Sequence, residues 1–392
     1  MKSKLYGIFV LFILGGCGKP LNINEKNLYP GGFRGRNTWN ILVYMNADND
    51  LYANSLADMN EMESVPLDTG VRILVLWDGN GANDTRVLEI KYDSTYAWGL
   101  GGIVSRYLSA PIEGQEITPT SGEVNMLDYQ TLADFLDYAS LNHPASHTAL
   151  VIWSHSDGWR SGATTKGIQA DYNLGPEPAI FEMTNQELAL TLSGKGVSVV
   201  NFDSCLQGSL ETIWALKTQS DVSYVLASSW EIYASGSDYY RLLTYFNESY
   251  RRPMDFVTAA VDAYRDQYSS FSEVSLSGYD LNALDTGLMQ SFITYANANK
   301  ALEKPIFDAA ESFRQKSDNS ILFRNFSDYA TQSNYPQKSA LLDMLERFIV
   351  YSWRDGSGYG FKGLAVKHEI PGPDYLTIPL SEDTDWEGFI AP

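Results

Sequence analysis

Hydrophobic runs and amphipathic segments alternate along most of the chain. Five apolar runs of strand length are WNILVYMNAD, VRILVLWDG, HTALVIWSH, VSVVNFDSC and VSYVLASSW. Segments with apolar residues at helical spacing lie between them, including LYANSLADMNEMESV, LDYQTLADFLDYASL and GSLETIWALK. Nearly continuous apolar strands that alternate with helices indicate a parallel sheet covered by helices on both faces. The pattern therefore predicts an α/β fold.

Other segments refine this picture. DTRVLEIKYDS and GGIVSRYLSA predict a hairpin excursion after the second strand, and Thr184-Asn185-Gln186-Glu187 predicts a capping box that opens the helix QELALTLSG. From about Asp285 the pattern changes to long helices, TGLMQSFITYANANKALEKPIFDAAESFRQ and SALLDMLERFIVYSW. A short tail, GFKGLAVKHEI and YLTIPL, predicts closing strands. We therefore expect a main α/β domain over residues 37–284 and a C-terminal helical subdomain over residues 285–392.

The N-terminus has the pattern of an export signal. MKSKLYGIFVLFILGGC holds two lysines, an apolar run too short to span a bilayer as a helix, and then small residues, which predicts a signal peptide over residues 1–16. Leu14-Gly15-Gly16-Cys17 is similar to a bacterial lipobox, so we expect lipidation of Cys17 and a membrane anchor. A plain secretory signal is the alternative. Residues 17–36 are polar and rich in Gly and Asn, which predicts a flexible tether.

Charge limits the partners that the protein can bind. The formal net charge is −20, and an acidic surface repels phosphate, so we expect no nucleic-acid partner. An acidic cleft would instead attract cations. Together with the N-terminal signal, the charge indicates an exported bacterial lipoprotein that is anchored by lipid at the cell envelope and that attracts cationic groups.

The scarce cysteine and histidine residues are placed at strand ends. The chain has two cysteines and four histidines. His155 and Cys205 each follow an apolar run, at the carboxyl ends of predicted parallel strands, where ligands bind in such sheets. A thiol activated at the start of the following helix, an imidazole and backbone N–H donors are the parts of a cysteine peptidase site. We expect the donors from Cys205 and from Ser156 or Asp157. A buried, inert thiol is the alternative.

An acidic residue precedes the cysteine. Asp203 lies two residues before Cys205, so with strand periodicity both side chains emerge on the same side. A carboxylate there needs a partner, either from the protein or from a cationic substrate. The second possibility means a pocket for Arg or Lys, and a cap of the turn is an equally simple alternative.

Several segments together resemble the clostripain family of cysteine peptidases, which is related to caspases, gingipains and legumains. They are WNILVYMNADNDLYANSLADMNEM, HSDGW, DSCLQGSLE, VSLSGYDLNAL and GLAVKHEIPG, in that order from Trp39 onward. The resemblance implies a caspase-like fold, with residues 37–284 as the catalytic domain, Cys205 as the nucleophile and His155 as its acid/base partner. It also implies that Asp203 forms the floor of a pocket for basic residues of protein or peptide substrates. No cofactor is expected to be required, and calcium is possible because some relatives use it.

The chain departs from the family pattern in two places. Ser156 replaces the usual glycine after the histidine, and SSWEIYASGSDYY replaces a pattern usually written S-E-E-x-x-P-G-x-G-W, which changes the expected pocket wall. Trp230 is a candidate for this wall, with simple packing as the alternative. The family often matures by self-cleavage after a basic residue between the histidine and the cysteine. Lys166 is our candidate among Arg160, Lys166 and Lys195.

The sequence leaves two other functions open. A catalytically weak relative that serves as a surface binding protein would use some of the 25 tyrosines and 9 tryptophans. A metal-dependent hydrolase would need ligands near the polar cluster Asp48, Asn49 and Asp50, where histidine is scarce and capping of the next helix by Asn49 or Asp50 is simpler. We assign no metal ligand from the sequence.

Overall fold

The structure is a computed structural model, and it describes residues 38–93, 102–156, 168–169, 183–314, 321–356, 358–359, 363–368 and 373–391. The predicted signal peptide, the tether, Cys17 and the candidate cleavage residue Lys166 lie outside these ranges, as do Asp157 and Arg160. None of the helices in the described ranges is long and apolar enough to cross a bilayer.

Seventeen strands and twelve α-helices occur in the described ranges. The strands are β1 (Trp39–Asn46), β2 (Val71–Asp78), β3 (Arg86–Glu89), β4 (Arg106–Leu108), β5 (Ala110–Ile112), β6 (Gln115–Ile117), β7 (His147–Trp153), β8 (His155–Ser156), β9 (Ile168–Gln169), β10 (Val199–Asp203), β11 (Tyr224–Ala227), β12 (Ser275–Asp280), β13 (Ser312–Arg314), β14 (Ile321–Asn325), β15 (Ile349–Arg354), β16 (Gly358–Tyr359) and β17 (Ala365–Val366). The α-helices are α1 (Tyr52–Glu63), α2 (Tyr129–Asn142), α3 (Asn185–Leu192), α4 (Leu210–Gln219), α5 (Tyr239–Asn247), α6 (Pro253–Tyr268), α7 (Thr286–Ala298), α8 (Lys300–Ala309), α9 (Phe326–Gln332), α10 (Lys338–Phe348), α11 (Pro379–Thr384) and α12 (Trp386–Ile390).

A ten-stranded sheet organises the fold, in the order β16-β15-β12-β11-β10-β7-β1-β2-β3-β4. The five strands β11, β10, β7, β1 and β2 are parallel, and they are the five apolar runs of the sequence. Antiparallel strands extend both edges, including the predicted hairpin strands β3 and β4. Successive parallel strands are joined by segments that contain α1, α2, α3 and α4 and that return the chain to the edge at which the next strand starts.

Alternate residues of the central strands enter two separate apolar cores. In β1, Leu42 and Tyr44 face one core, and Ile41, Val43 and Met45 face the other. Helices α2, α3, α4 and α7 contribute buried residues to the first core, and α1, α5 and α6 contribute to the second. Both faces of the sheet are therefore covered, as the apolar strands predict. The predicted capping box of Thr184 and Glu187 is also present at the start of α3.

The C-terminal part differs from the prediction in four places. The helix predicted up to Trp353 ends at Phe348, where β15 follows, and Ser312–Arg314 form β13 instead of the end of a long helix. The expected long helix is divided into α7 and α8 at Asn299, whose φ of −116° and ψ of 26° leave the helical range. The expected strand YLTIPL is wrong: it lies in a 3-10 helix over Pro373–Thr377 and the start of α11. Pro379 at the first position of α11 lacks an N–H that a strand would use and suits a helix start.

The C-terminal part also contributes strands to the main sheet. β15 pairs with β12 and with β16, so residues after Asp285 extend the sheet of the preceding part. β14 and β17 form a separate small sheet with β13. The division at residues 284 and 285 stays a prediction.

Candidate active site

The ends of β7 and β10 bring the predicted site residues together. The two strands are neighbours, with Trp153 paired to Asp203, and His155 and Cys205 each lie two residues beyond this pair. A pocket of about 100 Å³ opens here. The described residues that line it are Leu51, Trp153, Ser154, His155, Asp203, Ser204, Cys205, Ile232, Tyr233, Ala234 and Gly236. The thiol, the imidazole and the carboxylate therefore share one cavity at the carboxyl edge of the sheet.

The turn that carries Cys205 is shaped by its backbone. Leu206 has a positive φ of 62°, a conformation that is uncommon for a residue with a branched side chain. Its N–H donates to the carbonyl of Trp230 over 3.1 Å. Gly208 lies so close to the chain after β11 that a Cβ there would be 2.8 Å from the carbonyl carbon of Ser228. The glycine of the DSCLQG segment is thus required for close backbone approach.

The sulfur of Cys205 lies beside a backbone donor. The N–H of Ile232 donates to Sγ over 3.2 Å. As expected, Cys205 lies in the turn that leads into a helix, and α4 starts at Leu210 with Ser209 as its N-cap. The described donor to Sγ is the Ile232 N–H and not the helix terminus, and the thiol in turn donates to the carbonyl of Ile232 over 3.7 Å.

His155 has a carboxylate partner that the sequence analysis did not assign. Nε2 of His155 lies 2.6 Å from Oδ1 of Asp50, which follows β1. This hydrogen bond lowers the pKa of the Asp50 carboxyl below its usual value. By sequence, Asp50 is a candidate helix cap or cation ligand. In the structure Asn49 makes the local contact, by accepting the Leu51 N–H over 2.9 Å. Asp50 and His155 follow β1 and β7, which are neighbouring strands, so a prediction of the strand order would have placed the two side chains together.

A buried glutamine joins the histidine turn to the cysteine turn. The amide nitrogen of Gln207 donates to the hydroxyl of Ser156, and its carbonyl accepts from the hydroxyl of Thr212 over 2.9 Å. Both Gln207 and Ser156 are buried. Ser156 therefore supplies a side-chain contact that a glycine could not make. The oxyanion roles of the Ser156 and Cys205 N–H groups stay predictions.

Asp203 is a buried carboxylate that lines this pocket, with 6% of the residue exposed. Its Oδ2 accepts hydrogen bonds from the hydroxyl of Tyr239 at 2.8 Å and from the N–H of Ser237 at 3.1 Å. Its Oδ1 has no hydrogen-bond partner among the residues that the structure describes. Burial raises the pKa of the Asp203 carboxyl, because water no longer stabilises its charge.

A glycine packs directly against this carboxylate. Gly236 has a positive φ of 54°, and a Cβ there would lie 3.1 Å from both carboxylate oxygens of Asp203. Any other residue would therefore crowd the carboxylate and strain the backbone. The positive φ explains why glycine stands at this position of the altered segment after β11.

Other acidic groups surround Asp203. Asp58 is buried, accepts from the indole N–H of Trp153 at 2.7 Å, and has its pKa raised well above the usual value by burial and by the charge of Asp203. Burial, followed by the charge of Asp238, raises the pKa of Glu61 to about 7. Each of these buried acids therefore disfavours the charged form of its neighbours, and a positively charged ligand at Asp203 would offset that penalty.

Trp230 occupies a different environment from the one expected of a pocket wall. It is buried, its ring lies edge-on to Phe313 with centroids 5.0 Å apart, and the guanidinium of Arg354 lies 4.9 Å above its face. Trp230 is not among the described residues that line the pocket. These contacts favour the packing alternative. The substrate contact of Trp230 stays a prediction. The basic candidate Lys195 pairs with Asp137 at 2.6 Å.

A separate group of acids could hold a metal ion. Ligand oxygens of Asp78, Asp84 and Glu123 lie within 4.8 Å of one another, close to the end of β2. Buried oxygens of Asp84 and Glu123 have no hydrogen-bond partner in the described part of the chain. Burial raises the pKa of both carboxyls. This group differs from the Asp48, Asn49 and Asp50 cluster considered from the sequence.

Cys205 and His155 follow adjacent parallel strands of the sheet and share a pocket with the buried Asp203 carboxylate. This is a site of the cysteine–histidine type on an α/β sheet. The sequence model described as "Clostripain family" matches residues 43–353, so the chain belongs to the clostripain family. The chain is 26% identical to the clostripain of Hathewaya histolytica over 211 residues, which are 51% of this chain and 40% of that protein. It therefore spans well under half of the length of that relative.

Solved structures share the fold. One is a secreted C11 cysteine protease from Bacteroides thetaiotaomicron in complex with an irreversible peptide inhibitor, with a TM-score of 0.64, 19% identity, and coverage of 89% of this chain and 99% of that chain. Another is an inactive zymogen C11 protease from Parabacteroides distasonis, with a TM-score of 0.63, 18% identity, and coverage of 90% and 98%. The predicted caspase-like α/β class is thereby confirmed.

Proposed function

We propose that the protein is a cysteine endopeptidase of clostripain type that cleaves after arginine or lysine. In this reaction the Cys205 thiolate attacks the carbonyl carbon of the scissile bond, and the C–N bond breaks as His155 gives a proton to the leaving amine. His155 then takes a proton from water, which hydrolyses the thioester and frees Cys205. The backbone N–H groups of Ser156 and Cys205 are the proposed donors to the oxyanion.

The observation that carries the basic specificity is the unpartnered Oδ1 of Asp203. This oxygen is buried in the same pocket as the thiol and has no hydrogen-bond partner among the described residues. Because a buried carboxylate is costly without a partner, a substrate guanidinium or ammonium that enters the pocket supplies the missing contact.

Location and maturation complete the proposal. The protein is exported, is anchored to the membrane through lipid on Cys17, and acts on protein or peptide substrates with basic residues. Maturation occurs by self-cleavage after Lys166. The predicted lipobox supports export and anchoring, and the basic residue between the motifs supports self-cleavage. The similar C11 protease of Bacteroides thetaiotaomicron is secreted, which also supports export.

The reaction requires no cofactor, since the thiol and imidazole supply the chemistry. Calcium is proposed as a structural ion at Asp78, Asp84 and Glu123, whose oxygens are close together and include two without partners among the described residues. A rise in melting temperature with calcium that is absent from Glu123→Gln supports this. Equal melting curves with calcium and with a calcium chelator contradict it.

The proposed activity is tested with fluorogenic peptides that differ only in Arg, Lys, Ala or Asp before the scissile bond. The enzyme is the chain that begins after Cys17, before and after limited proteolysis, with Cys205→Ala as its matched control. We expect cleavage of the Arg and Lys peptides by the wild type alone. Turnover that survives Cys205→Ala contradicts the thiol mechanism. No turnover by any preparation supports the alternative of a surface binding lipoprotein.

A further inference from the structure

Three basic side chains cluster around one carboxylate at a corner of the main sheet. Glu89 ends β3, and its oxygens pair with Arg72 at the start of β2 (3.2 Å), Lys91 just after β3 (2.8 Å) and Arg106 at the start of β4 (3.1 Å). The side chain of Glu89 is 10% exposed, whereas those of the three cations are 37%, 48% and 59% exposed. The cations therefore cover the acid and face solvent. We call these four residues the basic corner.

The basic corner carries an excess of positive charge. One carboxylate balances one of its three cations, and no other acid in the described part of the chain forms an ion pair with them. The excess acts on His143, because burial, followed by the charge of Arg72, lowers the pKa of this imidazole. Glu116 acts together with Arg106 on Tyr138, and its single charge reduces the excess without cancelling it. The corner is thus positive on a chain whose formal net charge is −20.

The basic corner lies at the edge of the sheet where the chain enters it. Arg72 is paired in register with Asn40, the second residue of β1. Neighbouring strands are about 4.8 Å apart, so the corner begins one strand away from the point at which the predicted tether joins β1. The tether is itself positive, with four basic residues and one acidic residue. They are Lys19, Lys26, Arg34 and Arg36 against Glu25.

The length of the tether keeps this edge close to a lipid on Cys17. A flexible chain of the 20 residues from 17 to 36 has a root-mean-square length of about 25 Å, and even fully extended it spans about 70 Å. A tether of this kind gives an effective concentration in the millimolar range, on the order of 1 mM. A weak attraction between the corner and the surface is therefore sufficient to orient the molecule.

The catalytic residues lie at the opposite edge of the same sheet. His155 and Cys205 follow the carboxyl ends of β7 and β10, whereas Arg72 lies at the amino end of β2, and these strands are parallel. A strand of eight residues such as β2 spans about 26 Å. A surface that contacts the basic corner therefore leaves the catalytic pocket on the far side, open to polypeptide substrates.

Exposed apolar side chains adjoin the basic corner. Tyr92 follows Lys91 in the chain, Tyr107 follows Arg106, and both tyrosines are exposed. Leu141, in the last turn of α2 at the same edge of the sheet, is 81% exposed. Tyrosine and leucine beside basic residues are typical of surfaces that bind at the interface of a bilayer. Charge and apolar exposure therefore indicate the same kind of partner.

We propose that the basic corner docks on a surface of anionic phospholipid and so turns the catalytic pocket away from the bilayer. The inference rests on the proposed lipid anchor at Cys17, which brings the molecule to that surface. The N–H groups of the three cations that the acid does not occupy bind phosphate oxygens of the headgroups, and Leu141 reaches the interface. The rest of the molecule is acidic, so the same lipid repels it and disfavours other orientations.

The test attaches the protein to vesicles and maps the side that becomes covered. The chain from Cys17 onward with Cys205→Ala has a single thiol, because the sequence holds two cysteines. Cys17 is coupled to maleimide lipid in vesicles of phosphatidylcholine, with or without phosphatidylglycerol as the anionic lipid. Acetylation of lysines is then followed by mass spectrometry. Lys304, on α8 in the C-terminal part, is the internal reference.

Anionic lipid should protect the corner. We expect acetylation of Lys91 to fall at least about fivefold on anionic vesicles relative to neutral ones, because each basic residue near an anionic surface strengthens attachment about fivefold. Lys304 should react equally on both kinds of vesicle. High salt should remove the difference at Lys91, because it screens the attraction. Each variant is compared with itself on neutral vesicles, which corrects for changes in the intrinsic reactivity of Lys91.

Substitutions separate the basic corner from net charge. Arg72→Gln with Arg106→Gln should abolish the protection of Lys91. The matched control is Lys338→Gln with Arg347→Gln, two changes on α10 that remove the same charge elsewhere, and it should retain the protection.

A substitution of opposite sign keeps the test independent of local damage. Glu89→Gln removes the central acid and should strengthen the protection of Lys91. Equal acetylation of Lys91 on the two kinds of vesicle, or protection that persists in Arg72→Gln with Arg106→Gln, overturns the proposal. Coupling through maleimide takes the place of lipidation, and Cys205→Ala removes turnover. Such a failure therefore leaves the proposed anchor and the proposed peptidase activity unaffected.

Discussion

Two acidic pockets of the molecule differ in how their carboxylates are held. In the active-site pocket, Asp203 is almost fully buried and one of its oxygens has no partner among the described residues. In a pocket of about 610 Å³ in the C-terminal part, Glu311 accepts from Arg354 and Asn325, and Asp328 accepts from the Glu311 N–H at 2.7 Å. A carboxylate without a partner gains most from an incoming cation, whereas partnered ones gain little. We therefore expect charge selectivity at Asp203 and little attraction of a further cation by Glu311 and Asp328.

The largest expected effect separates chemistry from binding. Cys205→Ala should lower kcat/KM for an arginine peptide by at least about 10⁴-fold, because the nucleophile is removed. Binding of the arginine peptide should change little, because Asp203 is retained, and a titration of the same variant would measure it. Residual hydrolysis close to the wild-type rate would show that Cys205 is not the nucleophile.

Crowding of Asp203 should have the next largest effect. Gly236→Ala places a Cβ 3.1 Å from both carboxylate oxygens, so we expect kcat/KM for arginine peptides to fall roughly 10- to 100-fold. Gly194→Ala is the matched control, because Gly194 also has a positive φ, of 72°, but has nothing within 4 Å of the added carbon. Equal losses in the two variants would mean that backbone strain alone, and not access to Asp203, is responsible.

The contact between Asp50 and His155 should matter less. The side chain of Asp50 is 76% exposed, so solvent screens the pair and Asp50→Asn should lower kcat about fivefold, with little change in KM. Asp50→Glu should recover most of the rate if the carboxylate positions the imidazole, and Asp343→Asn should have no effect. Equal rates for wild type and Asp50→Asn would show that the contact does not position His155 during turnover.

The smallest effect concerns stability. Burial, followed by the charge of Asp238, raises the pKa of Glu61 from 4.5 to about 7 in the folded protein. An acid with a raised pKa binds its proton more tightly when folded, so its contribution to stability is lost as pH rises from about 4.5 to about 7. Glu61→Gln keeps an acceptor for the Tyr239 N–H and should lose this part of the pH dependence of the melting temperature. Parallel wild-type and variant curves would contradict it.

The sequence predicts the parallel strands and the sites at their ends because both follow from local patterns. Apolar runs identified β1, β2, β7, β10 and β11, and strand ends located His155 and Cys205. The partners of these residues come from distant segments: Asp50 lies 105 residues before His155, and Tyr239 lies 36 residues after Asp203. Such contacts depend on strand order, which a single periodic pattern does not specify.

Errors occurred where local geometry overrode pattern. The helix expected over SALLDMLERFIVYSW ends at Phe348, because its β-branched and aromatic end, IVYSW, pairs as β15 with β12. The weak alternation of apolar residues in YLTIPL predicts a strand, but Pro379 favours the start of a helix. Gln207 carried no signal of its own, since its role depends on the hydroxyls of Ser156 and Thr212 that fold beside it.

The most direct measurement compares peptides with arginine or citrulline before the scissile bond, which differ in charge but hardly in shape. For the wild type the account predicts a kcat/KM ratio of about 100 in favour of arginine, as expected for a buried charge pair. The ratio should fall on acidification, because the Asp203 carboxyl, with its raised pKa, becomes protonated. For Asp203→Asn the ratio should approach one. An arginine preference that persists undiminished in Asp203→Asn would contradict the assignment of Asp203 as the group that selects basic substrates.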